Sequence, residues 1–330
     1  MRFGTTEEQR DFAAALHDLL QRVDVPTVAR AWASDDTGPG EKLWGSLAEL
    51  GLPALLVDEE HGGIGAGAVD LVVAFGVLGR HAVPGPWVES AAFAPVLLRG
   101  VDGAGDLLSS LSEGRLRVAA AVEELAPRAG DVRGADLALL VRGTEVHRAT
   151  VGAHYTSVDA TRTPADLVPA AALGDAGPEV ARAVDHAALA TAAQVLGAGQ
   201  RMLADAVGYV CVRTQFGRPV GEFQAVKHLL ADVKVALEFA APLVHGAALA
   251  LDAGAADATR AVSAAKVAAT DAAWLSARTA LQVHGAVGYT LEHDLSLWFT
   301  KVRALSSAWG TQDFHRRRVL DALLSAASAR

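Results

Sequence analysis

Between Val184 and His284 the chain carries three long runs of apolar residues at helical period: Val184–Val212, Phe223–Leu251 and Asp257–His284. Short polar links join them. A helix of that length has an apolar stripe that must be covered, and helices joined by short links cover each other as antiparallel neighbours. A shorter run, Val319–Ala327, supplies a fourth helix. The expectation is a four-helix bundle over 176–330. Gly197 and Gly199 lie inside the first run, not between a strand and a helix, so they are read as a close helix–helix contact and not as a phosphate loop.

The first hundred residues also read as helices. Thr6 and Gln9 stand at capping-box spacing before Phe12, Leu16, Leu19 and Leu20. A second helix is expected near Leu43–Leu50, ending at Gly51. His61–Gly65 is a loop, Val69–Leu78 a buried helix, and Ser90–Leu98 another helix after the Pro84-Gly85-Pro86 break. The texture then changes. Arg115–Val122, Asp136–Val141 and Thr144–Val151 are strand-like runs, with Tyr155–Val158 as a further candidate. The organisation read from this is a helical domain over 1–112, a small β domain over 113–175 and the bundle over 176–330. The fold class is mainly α with a small β domain.

Composition narrows the function. Asp and Glu number 38 against 29 Lys and Arg, so the net charge is −9, which argues against nucleic acid as a partner. The single cysteine, Cys211, excludes an internal disulfide and a cysteine-based metal cage; no metal is expected. The acidic start does not resemble a signal peptide. The best apolar run, Phe239–Leu251, holds Pro242 and His245 and falls short of the ~20 residues a span needs. A cytoplasmic protein without a membrane partner is the expectation.

Three segments carry chemistry. Arg213-Thr-Gln215-Phe216-Gly-Arg-Pro219 turns the corner between two long helices. Its Arg offers a planar fork for phosphate oxygens and its Phe a stacking face; a plain corner, with Arg213 satisfying helix carbonyls, is the other reading. Gln282-Val283-His-Gly285-Ala286-Val-Gly288 ends the third helix, where a glycine turn either exposes N–H groups to a phosphate or is only a turn. In Trp309-Gly310-Thr311 the threonine is placed to cap the last helix.

In this order and spacing the three segments resemble the acyl-CoA dehydrogenase family. The N-terminal half agrees through Thr6-Glu7-Glu8-Gln9, through Trp44 with Leu47-Ala-Glu-Leu-Gly51-Leu52, and through Glu59-Glu60-His61-Gly62-Gly63. The resemblance covers about residues 1–100 and 176–325. It implies an N-terminal helical domain, a middle β domain and a C-terminal four-helix bundle, with FAD at a subunit interface. It further implies that Arg213, Gln215 and Phe216 hold the diphosphate and adenine side of a neighbouring subunit's FAD. Gln282, Val283 and Gly285 close the same end, and Thr311 touches the diphosphate from the far side. Acyl-CoA as substrate and an electron-transferring flavoprotein as acceptor also come with the resemblance.

The departures are as informative. The family's carboxylate base directly precedes the Gly-Thr of the third segment, and here that residue is Trp309. The alternative base position on the preceding long helix reads Ala187, and its usual Arg neighbour reads Ala188. Asp185, His186 and Glu292 are the nearby groups that could substitute. The β domain is short and lacks the family's flavin-covering strand motifs, and Ala286 replaces a motif glycine. The leading expectation is a non-basic subunit that completes the FAD site of a complete acyl-CoA dehydrogenase partner. A self-sufficient flavoenzyme, paired with itself, and a non-redox acyl-CoA-binding scaffold are the alternatives.

Overall fold

A computed structural model describes residues 4–290 and 293–328. Helices α1 (Glu7–Arg22), α2 (Val25–Ala33), α3 (Gly38–Glu49), α4 (Ala68–Arg80), α5 (Ala94–Arg99) and α6 (Gly105–Ser112) come first. The Thr6 side chain accepts from the Gln9 amide and the Gln9 side chain returns the bond, so the capping box forms. Helix α2 is not among the helices expected from the sequence, and it contains Pro26. The proline sits in the first turn, where its missing N–H costs nothing, and the Asp24 side chain caps the Thr27 amide. Ahead of α5 the chain makes one wide π-turn, Glu89–Phe93, instead of a continuous helix.

The sheet order is β1 (Val118–Val122), β3 (Leu137–Arg142), β4 (Glu145–His154), β5 (Ala165–Asp175) and β2 (Arg128–Ala129). β1 pairs parallel to β3, in the register Val118 to Leu137; the other neighbours are antiparallel. Tyr155–Val158 is not a strand; it belongs to the loop that carries Asp159 and Thr161. The longest strand, β5, was not anticipated. Its alanines and Pro169 carry little strand propensity, and it forms because β4 pairs along its length.

Four long helices follow: α7 (Glu179–Val212), α8 (Gln224–Asp252), α9 (Ala258–His284) and, after the short α10 (Leu295–Leu305), α11 (Gln312–Ser328). Two-residue strands β6 (Thr214–Gln215) and β7 (Arg218–Pro219) form a hairpin between α7 and α8. The close contact read from Gly197 exists: a Cβ there would stand 2.0 Å from the Gly76 carbonyl oxygen, and one on Gly79 would stand 1.9 Å from that of Gln194. α4 and α7 therefore touch backbone to backbone, which joins the N-terminal helices to the bundle. Gly199 makes the equivalent approach to Ala273 of α9, 3.0 Å from its Cα. By length and composition α8 is long and apolar enough to cross a membrane, contrary to the reading of Phe239–Leu251. In the fold it is a bundle helix, burying Val233, Leu237, Ala240, Val244 and Ala247, while Val235, Phe239 and Leu243 face outward.

Candidate functional site

The predicted residues divide between two cavities. At the α7–α8 corner, a cavity of about 460 Å³ is lined by Arg213, Gln215, Gln282, Val283 and Gly285, together with Tyr209 and Val287. Arg213 caps α7 with its N–H on the Tyr209 carbonyl. Its exposed guanidinium makes no hydrogen bond or ion pair among the described residues. Phe216 takes a left-handed φ of 53° at the hairpin tip and is 92 % exposed, edge-on to Phe223. An aromatic ring held out in water on a two-residue turn has no folding role there. Gly285 ends α9 with φ 63° and ψ −142°, a conformation for glycine alone, and no atom lies within 4 Å of the position a Cβ would take. The backbone is open to close approach on that side, with the Gly285 N–H itself bonded to the Leu281 carbonyl. His284 stacks on Tyr209 at 4.3 Å and donates Nδ1–H to the Ala280 carbonyl; burial holds its pKa below the ordinary imidazole value.

This end fits one side of FAD. Arg213 presents a charged fork for a diphosphate, Phe216 a flat apolar face, and Gln282 a side-chain amide. Thr311 is elsewhere. It lines a second cavity, of about 500 Å³, between the sheet and the end of α10, along with Trp309, Glu89, Arg162, Ala120 and Ala308. As read from the sequence, its hydroxyl caps the last helix, accepting from the Phe314 amide.

Trp309 is 4 % exposed and held with φ 54° ahead of Gly310 at φ 108°. Its ring packs on Phe93 at 4.5 Å, and its Nε1 donates to Glu89 Oε1 over 3.3 Å. His315 donates Nε2–H to the Trp309 carbonyl and accepts at Nδ1 from Ser263; burial, with Lys266 nearby, pushes it down to about 4. An indole N–H only donates, so no proton can be abstracted at this position. Ala187 and Ala188 are wholly buried in the core. Asp185 is no substitute base. It is 3 % exposed and taken up by Thr259 Oγ1 at 2.6 Å and Arg318 at 2.9 Å, and with His186 it lines a different cavity, near Arg99 and Asp252. Burial holds His186 below its ordinary value. Glu292 lies outside the described residues.

The sequence reading missed Glu89 and Arg162. Glu89 is the one charged residue in the apolar stretch Trp87–Leu98, and that isolation was its signal. It is 4 % exposed, and burial raises its pKa against the pull of the Arg162 charge and the Trp309 bond. A related group lies behind the cavity. Asp131 is 2 % exposed, accepts from the Thr163 and Arg133 amides, and leaves Oδ2 without a partner. Burial lifts it to about 7. The unfolded chain ionises this carboxyl near 3.9 and the folded chain does not, so its contribution to stability is full below about pH 4 and is lost as pH rises to about 7. The stability of the native chain relative to Asp131→Asn should therefore fall across that window, by up to about 1.4 kcal/mol per pH unit. Urea denaturation at each pH reads it; a pH-independent difference would show that the carboxyl titrates normally.

Comparison with known proteins agrees with this geometry. "Acyl-CoA dehydrogenase, N-terminal domain" matches residues 6–102 and "Acyl-CoA dehydrogenase, C-terminal domain" residues 177–324. The acyl-CoA dehydrogenase IpdE2 of Mycolicibacterium smegmatis is 30 % identical over 322 residues, covering 95 % of this chain and 98 % of its own. Among solved structures, the ChsE4–ChsE5 complex of Mycobacterium tuberculosis superposes with a TM-score of 0.83 at 23 % identity, covering 98 % of this chain and 99 % of the other. A variant of the Tcur3481–Tcur3483 steroid acyl-CoA dehydrogenase gives 0.86 at 22 %, covering 98 % and 99 %. Fold and corner cluster together define the class, a flavin-dependent oxidoreductase acting on CH–CH bonds. The chain belongs to the acyl-CoA dehydrogenase family, whose cofactor is FAD.

Proposed function

We propose that this chain is the non-basic subunit of a heteromeric acyl-CoA dehydrogenase, completing an FAD site whose base sits on a partner subunit. The observation that carries it is the division of the site. The base position is Trp309, sealed against Phe93 and Glu89, while Phe216 stands exposed at the far corner and the Arg213 guanidinium has no hydrogen-bond or ion-pair partner among the described residues. FAD, when bound, supplies the hydride acceptor for α,β-dehydrogenation of an acyl-CoA. Arg213 would hold the diphosphate oxygens, Gln215 and Gln282 would place amide groups beside it, and Phe216 would cover a flat face of the nucleotide. The Gly285 turn admits the nucleotide without a side chain in the way.

The similar ChsE4–ChsE5 and Tcur3481–Tcur3483 structures each carry two component names, which supports a two-chain assembly. The test is the visible spectrum of the purified full chain, alone and co-expressed with an acyl-CoA dehydrogenase subunit that retains the base. Colourless protein that turns flavin-yellow with the partner is expected. Yellow protein from the chain alone would overturn the reading in favour of a self-sufficient flavoenzyme.

A further inference from the structure

With the flavin assigned to a partner-completed site, the cavity that contains Trp309 and Thr311 needs its own explanation. Its walls are mostly apolar, with Ala120, Leu125, Pro127, Val158, Ala304 and Ala308 among them. Its volume of about 500 Å³ is that of a small-molecule site. Arg162 makes no side-chain hydrogen bond or ion pair among the described residues. Its Nη2 lies 2.1 Å from where a Cβ on Gly130 would stand, and Glu89 Oε1 lies 3.7 Å from the same point. Gly130 is thus required for the guanidinium to lie where it does, beside the Glu89 carboxyl. Glu89 is buried and receives the Trp309 indole N–H, and burial raises its pKa against the pull of Arg162. The other cations on the wall are already engaged: Arg128 with Asp166 and the Tyr155 ring, Arg303 with Ser306.

We propose that this cavity is a binding site for an apolar molecule bearing one carboxylate, held by the Arg162 fork with its apolar body along the alanine-rich wall. A guanidinium donates through a planar fork, so the matching ligand group is an anionic double acceptor. A neutral alcohol leaves the guanidinium charge uncompensated. The inference rests on the reading that the flavin is held with the partner, because a flavin ring would compete for the same space.

The experiment is calorimetric titration of the flavin-free full chain with octanoate and, separately, with 1-octanol, which has the same chain length and no charge. Octanoate is expected to bind saturably, with octanol weaker by roughly tenfold or more. Arg162→Met should abolish that preference. Glu89→Gln should keep most of it, because the Arg162 fork remains. Equal binding of both probes, or no saturable octanoate binding at millimolar concentration, would overturn the proposal and leave the partner reading intact. Flavin retained by the chain alone would instead overturn both. The comparison of two probes on the unaltered chain needs no variant to fold.

Discussion

Arg213→Ala should leave the heteromeric complex assembled but nearly free of flavin. The side chain is exposed and makes no hydrogen bond or ion pair with another described group, so its loss should move stability by no more than about 0.5 kcal/mol. Its loss to FAD is of another order. Each charge-assisted hydrogen bond to a diphosphate is worth about 1.5–3 kcal/mol, roughly 10- to 150-fold in affinity, and a guanidinium makes two in parallel. The ratio of flavin to protein absorbance in the purified complex reads the result, with urea denaturation of the variant chain as the fold control. Arg218→Ala is the comparison, because that guanidinium already lies over the Phe223 ring at 4.2 Å and is not free to turn toward a ligand. A complex of Arg213→Ala with full flavin content would remove the corner from the FAD site. The chain's place in a shared active site would fall with it.

The second large effect lies in the join between sheet and bundle. Lys301 of α10 reaches into the loop before β5, donating to Asp159 Oδ2 and Thr161 Oγ1, each at 3.1 Å. The two charged side chains are 5 % and 2 % exposed. Burial alone would push Asp159 up, but Lys301, the Thr161 hydroxyl and Arg162 outweigh it, and the carboxyl is held below the usual carboxylate range. Lys301→Met should cost about 3–5 kcal/mol, because it strands a charge where water cannot reach it. The double variant Lys301→Met/Asp159→Asn should recover a good part of that loss, since no charge is then left unpaired. Urea midpoints of the three proteins decide it; a single variant as stable as the native chain would show that water reaches Asp159. Lys234–Glu238, an exposed pair on α8 with side chains 64 % and 62 % accessible, should by contrast contribute well under 1 kcal/mol. The position of the sheet over the Glu89–Arg162 cavity hangs on the buried pair, because Asp159, Thr161 and Arg162 are neighbours in one loop.

Much of the helical architecture was legible because its signals are local. The Thr6 capping box, the Gly285 stop after α9 and the apolar stripe of α7 are all set within a few residues of each other, and each formed where the spacing placed it. The corner motif was legible for the same reason: Arg213 to Pro219 is one short hairpin, and its distance from the Gln282 segment spans two whole helices. What failed were elements whose formation depends on a distant neighbour. β5 is a strand because β4 lies beside it. Among the candidate bases, Asp185 is engaged by packing partners. Asp185 carries the right chemistry, but Arg318 and Thr259 consume it, and no local pattern on α7 reveals partners that far along the chain.

By itself the sequence determined the family, through its motifs, and the helical bundle, because period, caps and glycine turns act over one or two helical turns. Only the tertiary structure decided that Thr311 belongs to a different cavity from Arg213. It alone brought Glu89, Gly130, Arg162 and Trp309 together from four separate elements. The reason is physical. A helix or turn is stabilised by contacts between near neighbours, whereas a buried charge finds its partner wherever close packing happens to leave one.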